Sequence, residues 1–167
     1  MHQLNYRIQQ RVAALPAGLQ THIYRASKVA LELARRHGVD PERVALGILA
    51  HDVVRAMPGD ELIRRATELD LPINSVERRV PVLLHGPVGA EILRCEDLLD
   101  PALEGPVYRA VYWHTTGHTL LDDLGKVVFL ADKLDPQNIA RYPYLPHLHR
   151  EEGDHGLAHG SHVAGGP

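Results

Sequence analysis

One segment limits what this chain can fold into more than any other. Between Asp40-Pro41-Glu42 and His51-Asp52 stand Val44, Ala45, Leu46, Ile48, Leu49 and Ala50. Asp40 offers an N-cap oxygen, Pro41 suits the first helical position and Glu42 complements the positive helix start, so a helix begins here. Its apolar residues fall on nearly every side. A helix of that kind has to lie at the centre of a domain, with other elements packed around it. His51 and Asp52 leave its end, so two polar groups arrive where the core should be.

The surrounding segments read as helices too. Leu4, Ile8, Val12 and Leu15 recur at helical spacing until Pro16-Ala17-Gly18 stops them. A second helix is expected over 20–37, with Gly38 as the residue just past its end. Further helices are expected over 61–69 and, despite Pro81, over 75–84. His85-Gly86-Pro87 should break the chain before a helix over 88–95. Asp100-Pro101 repeats the cap-and-proline signal and opens a helix to Trp113, after which His114-Thr115-Thr116-Gly117 reads as a loop. The last clear helix is expected over 121–134, stopped by Asp135-Pro136. Alternating apolar runs with hairpin turn residues are missing, and aromatics are only 5%, so strands are not expected. The expected fold is all-α, a single compact helical bundle over 1–141, followed by an extended, mobile tail over 142–167.

Composition narrows the function. Apolar residues make up 44%, enough for a core, and a net charge of −3 provides no positive field to hold nucleic acid. Cys95 is the only cysteine, which excludes a disulfide framework and a thiolate zinc cluster and fits a reducing compartment. No stretch approaches the ~20 apolar residues of a membrane span. Met1 to Arg7 carries no apolar signal core. These features point to a soluble, cytoplasmic protein with a small-molecule partner.

Twelve histidines stand out. His147, His149, His155, His159 and His162 crowd the tail and read as incidental to the site. By contrast His22, His51, Asp52, His85, His114 and Asp132 lie on or beside apolar helices. Buried imidazoles and carboxylates are costly unless paired or bound to metal. Asp132 follows Phe129-Leu130-Ala131, where a lone carboxylate would resist ionising and a divalent cation would hold it charged. Taken singly, His85 and His114 read as capping or surface residues. The adjacent His51-Asp52 pair is harder to dismiss, and all six together read best as metal ligands. Six ligands exceed what one tetrahedral zinc takes, so two metals sharing a bridging carboxylate are expected. Imidazole and carboxylate without thiolate suit iron, manganese, cobalt or zinc.

The pattern His22…His51-Asp52…Asp132 resembles the signature of the HD-domain metal-dependent phosphohydrolases. Four stretches extend the likeness to the bacterial HD-type symmetrical diadenosine tetraphosphatases. They are Leu49-Ala50-His51-Asp52, Leu84-His85-Gly86-Pro87-Val88-Gly89-Ala90, His114-Thr115-Thr116-Gly117 and Leu130-Ala131-Asp132-Lys133-Leu134-Asp135-Pro136. The resemblance implies an all-helical fold and hydrolysis of a bis(5'-nucleosyl) tetraphosphate to two nucleoside diphosphates. It assigns one metal to His22, His51, Asp52 and Asp132, with Asp52 bridging to a second metal on His85 and His114. Iron is the metal most expected. The chain departs from the family at His118, where arginine is usual, and in Gln137-Asn138-Ile139-Ala140 before Arg141.

A water activated by the metals is the expected nucleophile. Arg25 lies one helical turn after His22, Arg55 one turn beyond Asp52, and Lys133 beside Asp132. Each is a candidate phosphate contact, and each has the alternative of a solvated surface charge. Thr115, Thr116, Gly117, His118 and Arg141 complete the candidate substrate contacts, His118 as the donor in place of arginine. Trp113 is expected in the core or behind the ligands. Two other functions stay open: an HD enzyme acting on another phosphoester, and a regulatory module that binds nucleotide or metal without turnover. A homodimer is compatible with everything above.

Overall fold

A computed structural model describes the backbone of 2–99 and 101–141 and the side chains of 6–99 and 105–140. The tail over 142–167 with its five histidines, and the side chain of Arg141, lie outside the described residues. The described residues form helices α1 (His2–Ala13), α2 (Ala17–His37), α3 (Pro41–Ala50), α4 (Gly59–Glu68) and α5 (Ser75–Arg79). A 3-10 turn (Pro81–Leu84) then leads into α6 (His85–Cys95), α7 (Pro101–Trp113), α8 (Asp123–Lys133) and α9 (Pro136–Arg141). Strands are absent among them, as expected for an all-α chain. No described helix is long and apolar enough to cross a membrane. The first compact unit runs to Asp135, and α9 belongs to a second that begins at Pro136.

Within the first unit α3 is the axis. It packs against α1, α2, α7 and α8, and Val44, Leu46, Gly47, Ile48 and Ala50 are buried. Asp40 caps it, its Oδ1 accepting from the N–H of Glu42 at 2.9 Å, with Pro41 in the first turn. Gly47 is the point of closest approach. A Cβ there would lie 3.0 Å from Val128 Cγ2 on α8, so the missing side chain lets the two helices close together.

The prolines behave differently from their sequence reading. His85-Gly86-Pro87 was expected to break the chain, yet the three residues form the first turn of α6. The first four N–H groups of a helix have no partner inside it, so Pro87 sacrifices nothing there. Pro81 acts in the opposite way. Val80 precedes it and leaves the helical region at φ −130, ψ 70, splitting the expected 75–84 helix into α5 and the 3-10 turn. A residue before proline is pushed out of the helical region by the ring. Asp135-Pro136 stops α8 and then starts α9, because proline suits the first position of a new helix.

Candidate metal centre

Five elements deliver the polar groups. His22 comes from α2, His51 and Asp52 from the end of α3, His85 from the start of α6, His114 from just past α7, and Asp132 from the last turn of α8. His51 is 0% exposed, His114 1% and Asp52 5%, so these groups are deep in the bundle. The Asp52 carboxylate stands between the histidines. Its Oδ1 lies 3.2 Å from His85 Nε2 and 3.5 Å from His114 Nε2. Its Oδ2 lies 3.5 Å from His51 Nε2 and 3.7 Å from His22 Nε2. Asp132 Oδ1 approaches His22 Nε2 at 3.1 Å and His51 Nε2 at 3.8 Å. Two groups of ligand atoms result, His22–His51–Asp52 and Asp52–His85–His114, each within 4.8 Å, and they share Asp52.

The hydrogen-bond roles of the imidazoles test whether cations fit. His51 Nδ1 donates to the carbonyl of Ile48 and His114 Nδ1 to that of Val111, both at 2.7 Å, and His85 Nδ1 donates to Val82. A carbonyl only accepts, so each Nδ1 carries the hydrogen, and in that tautomer each Nε2 is a bare lone pair. Yet His85 Nε2 and His114 Nε2 lie 2.8 Å apart with Asp52 Oδ1 beside them. Among the described residues only the Thr115 hydroxyl, 3.2 and 3.1 Å from the two nitrogens, offers a hydrogen to this cluster of acceptors. Protonating His114 is no remedy, because burial pushes its pKa down to about 4. Converging lone pairs with their far nitrogens fixed by backbone carbonyls are what a metal-binding imidazole set requires.

The His22 side differs. A hydrogen bond to Asp132 raises His22 to about 9, against the opposing effect of burial and with help from Asp135. Without metal, a proton therefore sits between His22 and Asp132, and a cation would take its place. Burial pushes the Asp52 carboxyl up, and the facing histidines, His51 first, outweigh it and hold it ionised well below the ordinary carboxylate range. Asp132 is likewise held low, burial being outweighed by His22, His51 and Lys133.

The residues expected on phosphate take varied places. Arg25 forks onto Asp135, Nε to Oδ1 at 2.6 Å and the terminal nitrogen to Oδ2 at 2.8 Å, so it reaches His22 through that carboxylate. Lys133 Nζ donates to Asp132 Oδ2 at 2.7 Å and lies over the Phe129 ring. Arg55 is exposed, and no ion pair joins it to another described residue. Its expected position assumed a continuing helix, whereas α3 ends at Ala50 and turns follow. Gly117 takes the left-handed conformation, φ 71, and its N–H closes the end of α7 onto Trp113 at 2.8 Å. Thr116 is exposed, and so is His118, whose ring stacks on Trp113 at 4.4 Å and 27°.

Asp135 is the residue that sequence reasoning missed, having been taken as a helix stop. It is 1% exposed, and its Oδ2 accepts from His22 Nδ1 at 2.8 Å while Arg25 holds both oxygens. Its spacing of three from Asp132 was the available signal. Asp135→Asn is expected to weaken metal binding by about 10- to 100-fold, the usual weight of a carboxylate that orients a ligand histidine. Competition with a chromogenic chelator measures this, and an affinity within twofold of the parent would remove Asp135 from that role.

The HD domain family model matches residues 19–137, a span that contains every one of these groups. The symmetrical bis(5'-nucleosyl)-tetraphosphatase of Bacillus subtilis is 28% identical over 121 residues, covering 69% of this chain and 60% of that protein. The protein of the same name from Halalkalibacterium halodurans is 30% identical over 119 residues, covering 69% and 59%. The alignments thus span about 60% of these relatives' length. Among solved structures, an HD superfamily hydrolase from Clostridium acetobutylicum, described as involved in NAD metabolism, superposes with a TM-score of 0.71. It is 21% identical and the match covers 92% of this chain and 89% of that one, which establishes likeness of fold. With 19–137 matched and a His-Asp pair at the meeting point of both ligand groups, the chain belongs to the HD domain family.

Proposed function

We propose that this protein hydrolyses a phosphoanhydride with metal ions held in the two ligand groups. Its substrate in this proposal is a bis(5'-nucleosyl) tetraphosphate such as diadenosine tetraphosphate, cleaved to two nucleoside diphosphates. The observation that carries it is the sharing of Asp52 between two three-residue ligand groups, each within 4.8 Å. That arrangement suits a pair of cations rather than one. The names of the bacterial relatives supply the substrate class.

Bound cations would supply Lewis acidity toward phosphoryl oxygens and activate water at neutral pH. The chain's own residues do the rest. Backbone carbonyls of Ile48, Val82 and Val111 retain the Nδ1 hydrogens, leaving Nε2 of His51, His85 and His114 to ligate. Asp135 does the same for His22. The hydroxyl of Thr115, beside His85 and His114, would donate to a phosphoryl oxygen. Lys133 offsets charge at Asp132. Iron is the proposed native metal, with manganese, cobalt or zinc able to fill the same nitrogen and oxygen ligands.

A substrate panel on metal-replete protein tests the proposal. Diadenosine tetraphosphate should yield ADP as the only nucleotide product. Appearance of ATP with AMP, or no turnover with any of the four metals, would overturn it. A second substrate, another nucleotide phosphoester, gains support from His118, which stands where the resembled family has arginine and lies flat on Trp113. Turnover of mononucleotides alone would favour it.

A further inference from the structure

Beside the His85–His114 half of the metal centre lies a cleft of about 190 Å³. Tyr112 and Trp113 from the end of α7 form an aromatic wall, their ring centroids 4.6 Å apart. Pro72 and Pro87 add apolar lining, and Asn74 and Thr116 add polar edges. Trp113 was expected in the core or behind the ligands; the structure leaves it half-buried and lining this cleft.

The cleft is lined by the same chain segments that carry two of the ligands. Trp113 precedes His114, Pro87 follows His85 by two residues, and Thr116 follows Thr115, whose hydroxyl touches both imidazoles. Its chemistry is unlike that of a phosphate site. Among the described residues no lysine or arginine lines it, and Glu77 does, which disfavours a polyanion. Its volume falls below the ~300–1,000 Å³ of sites that enclose a whole drug-sized ligand, so it takes one ring system rather than a dinucleotide. Asn74 has already committed its oxygen to capping α5, accepting from Val76 N–H at 2.8 Å and Glu77 N–H at 3.0 Å. Its amide hydrogens are what it can present to a ligand, and they match the ring nitrogens and carbonyl oxygens of a heteroaromatic base. The stack of His118 on Trp113 shows the indole already accepting a planar heteroaromatic ring.

We infer that this cleft receives one nucleobase of the substrate, packed against the Tyr112–Trp113 wall, while the phosphates lie over the metal centre. The inference rests on the nucleotide reading of the preceding subsection. It makes Trp113 and Asn74 specificity residues, although neither belongs to the ligand set.

Calorimetric titration of the metal-replete full chain with ADP and with inorganic diphosphate tests it. The quantity to follow is the ratio of the two affinities, because inorganic diphosphate reports the metal centre alone. ADP should bind more tightly. Trp113→Ala should shrink the ratio about 5- to 100-fold, the weight of one stacked base, and Trp113→Phe should keep most of it. Asn74→Asp retains a capping oxygen and loses the amide donors, and should shrink the ratio about 2- to 10-fold. Equal weakening of both ligands, or an unchanged ratio in Trp113→Ala and Asn74→Asp, overturns the inference. Should Trp113→Ala fail to fold, Trp113→Phe and Asn74→Asp decide. Suppose diadenosine tetraphosphate is not cleaved but the ratio behaves as described: the cleft stands and the tetraphosphatase proposal falls. Cleavage with ADP binding no more tightly than diphosphate gives the reverse.

Discussion

Asp52→Ala is expected to strip metal from both ligand groups and to lower phosphohydrolysis by about 10³-fold or more, the scale of losing a principal charge-stabilising group. The reason is positional. Each Asp52 oxygen faces a different pair of histidines, with Oδ1 3.2 Å from His85 Nε2 and Oδ2 3.5 Å from His51 Nε2. Removing it leaves His85 and His114 with no carboxylate between them and leaves His22 and His51 with Asp132 alone to balance a bound cation. Asp132→Ala touches only the His22–His51 side and should cost metal there alone. Elemental analysis therefore separates the two: Asp52→Ala should lose both ions and Asp132→Ala one. Circular dichroism should show the helices retained in each. Equal metal content in Asp52→Ala and the parent would end the shared-carboxylate account.

Gly86→Ala should destabilise the bundle by about 1–3 kcal/mol, the cost of overpacking a tight core, and lower the melting temperature by roughly 2–12 °C. A Cβ at Gly86 would lie 2.7 Å from the backbone oxygen of Tyr112 and 3.1 Å from that of Val111. Backbone cannot rotate aside as a side chain can, so α6 and α7 must separate. His85 precedes Gly86 and His114 Cε1 lies 3.4 Å from the added carbon, so the same shift should weaken metal binding. Gly89→Ala is the control. It sits on the same helix, and its nearest atom, Val54 Cγ2, lies at 3.4 Å, an ordinary contact. Thermal denaturation of the two variants should differ clearly; if Gly86→Ala melts with Gly89→Ala, the close approach of α6 and α7 has no energetic weight.

These two positions show where the sequence was informative. Asp52 was legible because a charged pair ended a helix apolar on all sides, and burial of charge demands a partner. Gly86 was visible as a residue and misread as a break, since its role depends on a neighbouring helix. Asp135-Pro136 was read correctly as a stop, but the second role of Asp135 was out of reach. A stop signal is local, but the hydrogen bond from His22 to Asp135 joins residues 113 positions apart. Arg25 and Arg55 were assigned by helical spacing. That rule placed Arg25 on the side of α2 that carries His22 without showing that Asp135 would engage it, and Arg55 lies in the turns after α3, where helical spacing does not apply.

By itself the sequence determined the all-helical class, the buried central α3 and the chemical type of the site, because periodicity, caps and the cost of buried charge are properties of residues and their near neighbours. Only the tertiary structure decided which oxygen of Asp52 meets which histidine, which carbonyls fix the tautomers, and that Asp135 and Trp113 stand beside the centre. Those facts depend on the packing of helices far apart in the chain, set by side-chain volume and backbone approach at contacts such as Gly47 against Val128 and Gly86 against Tyr112.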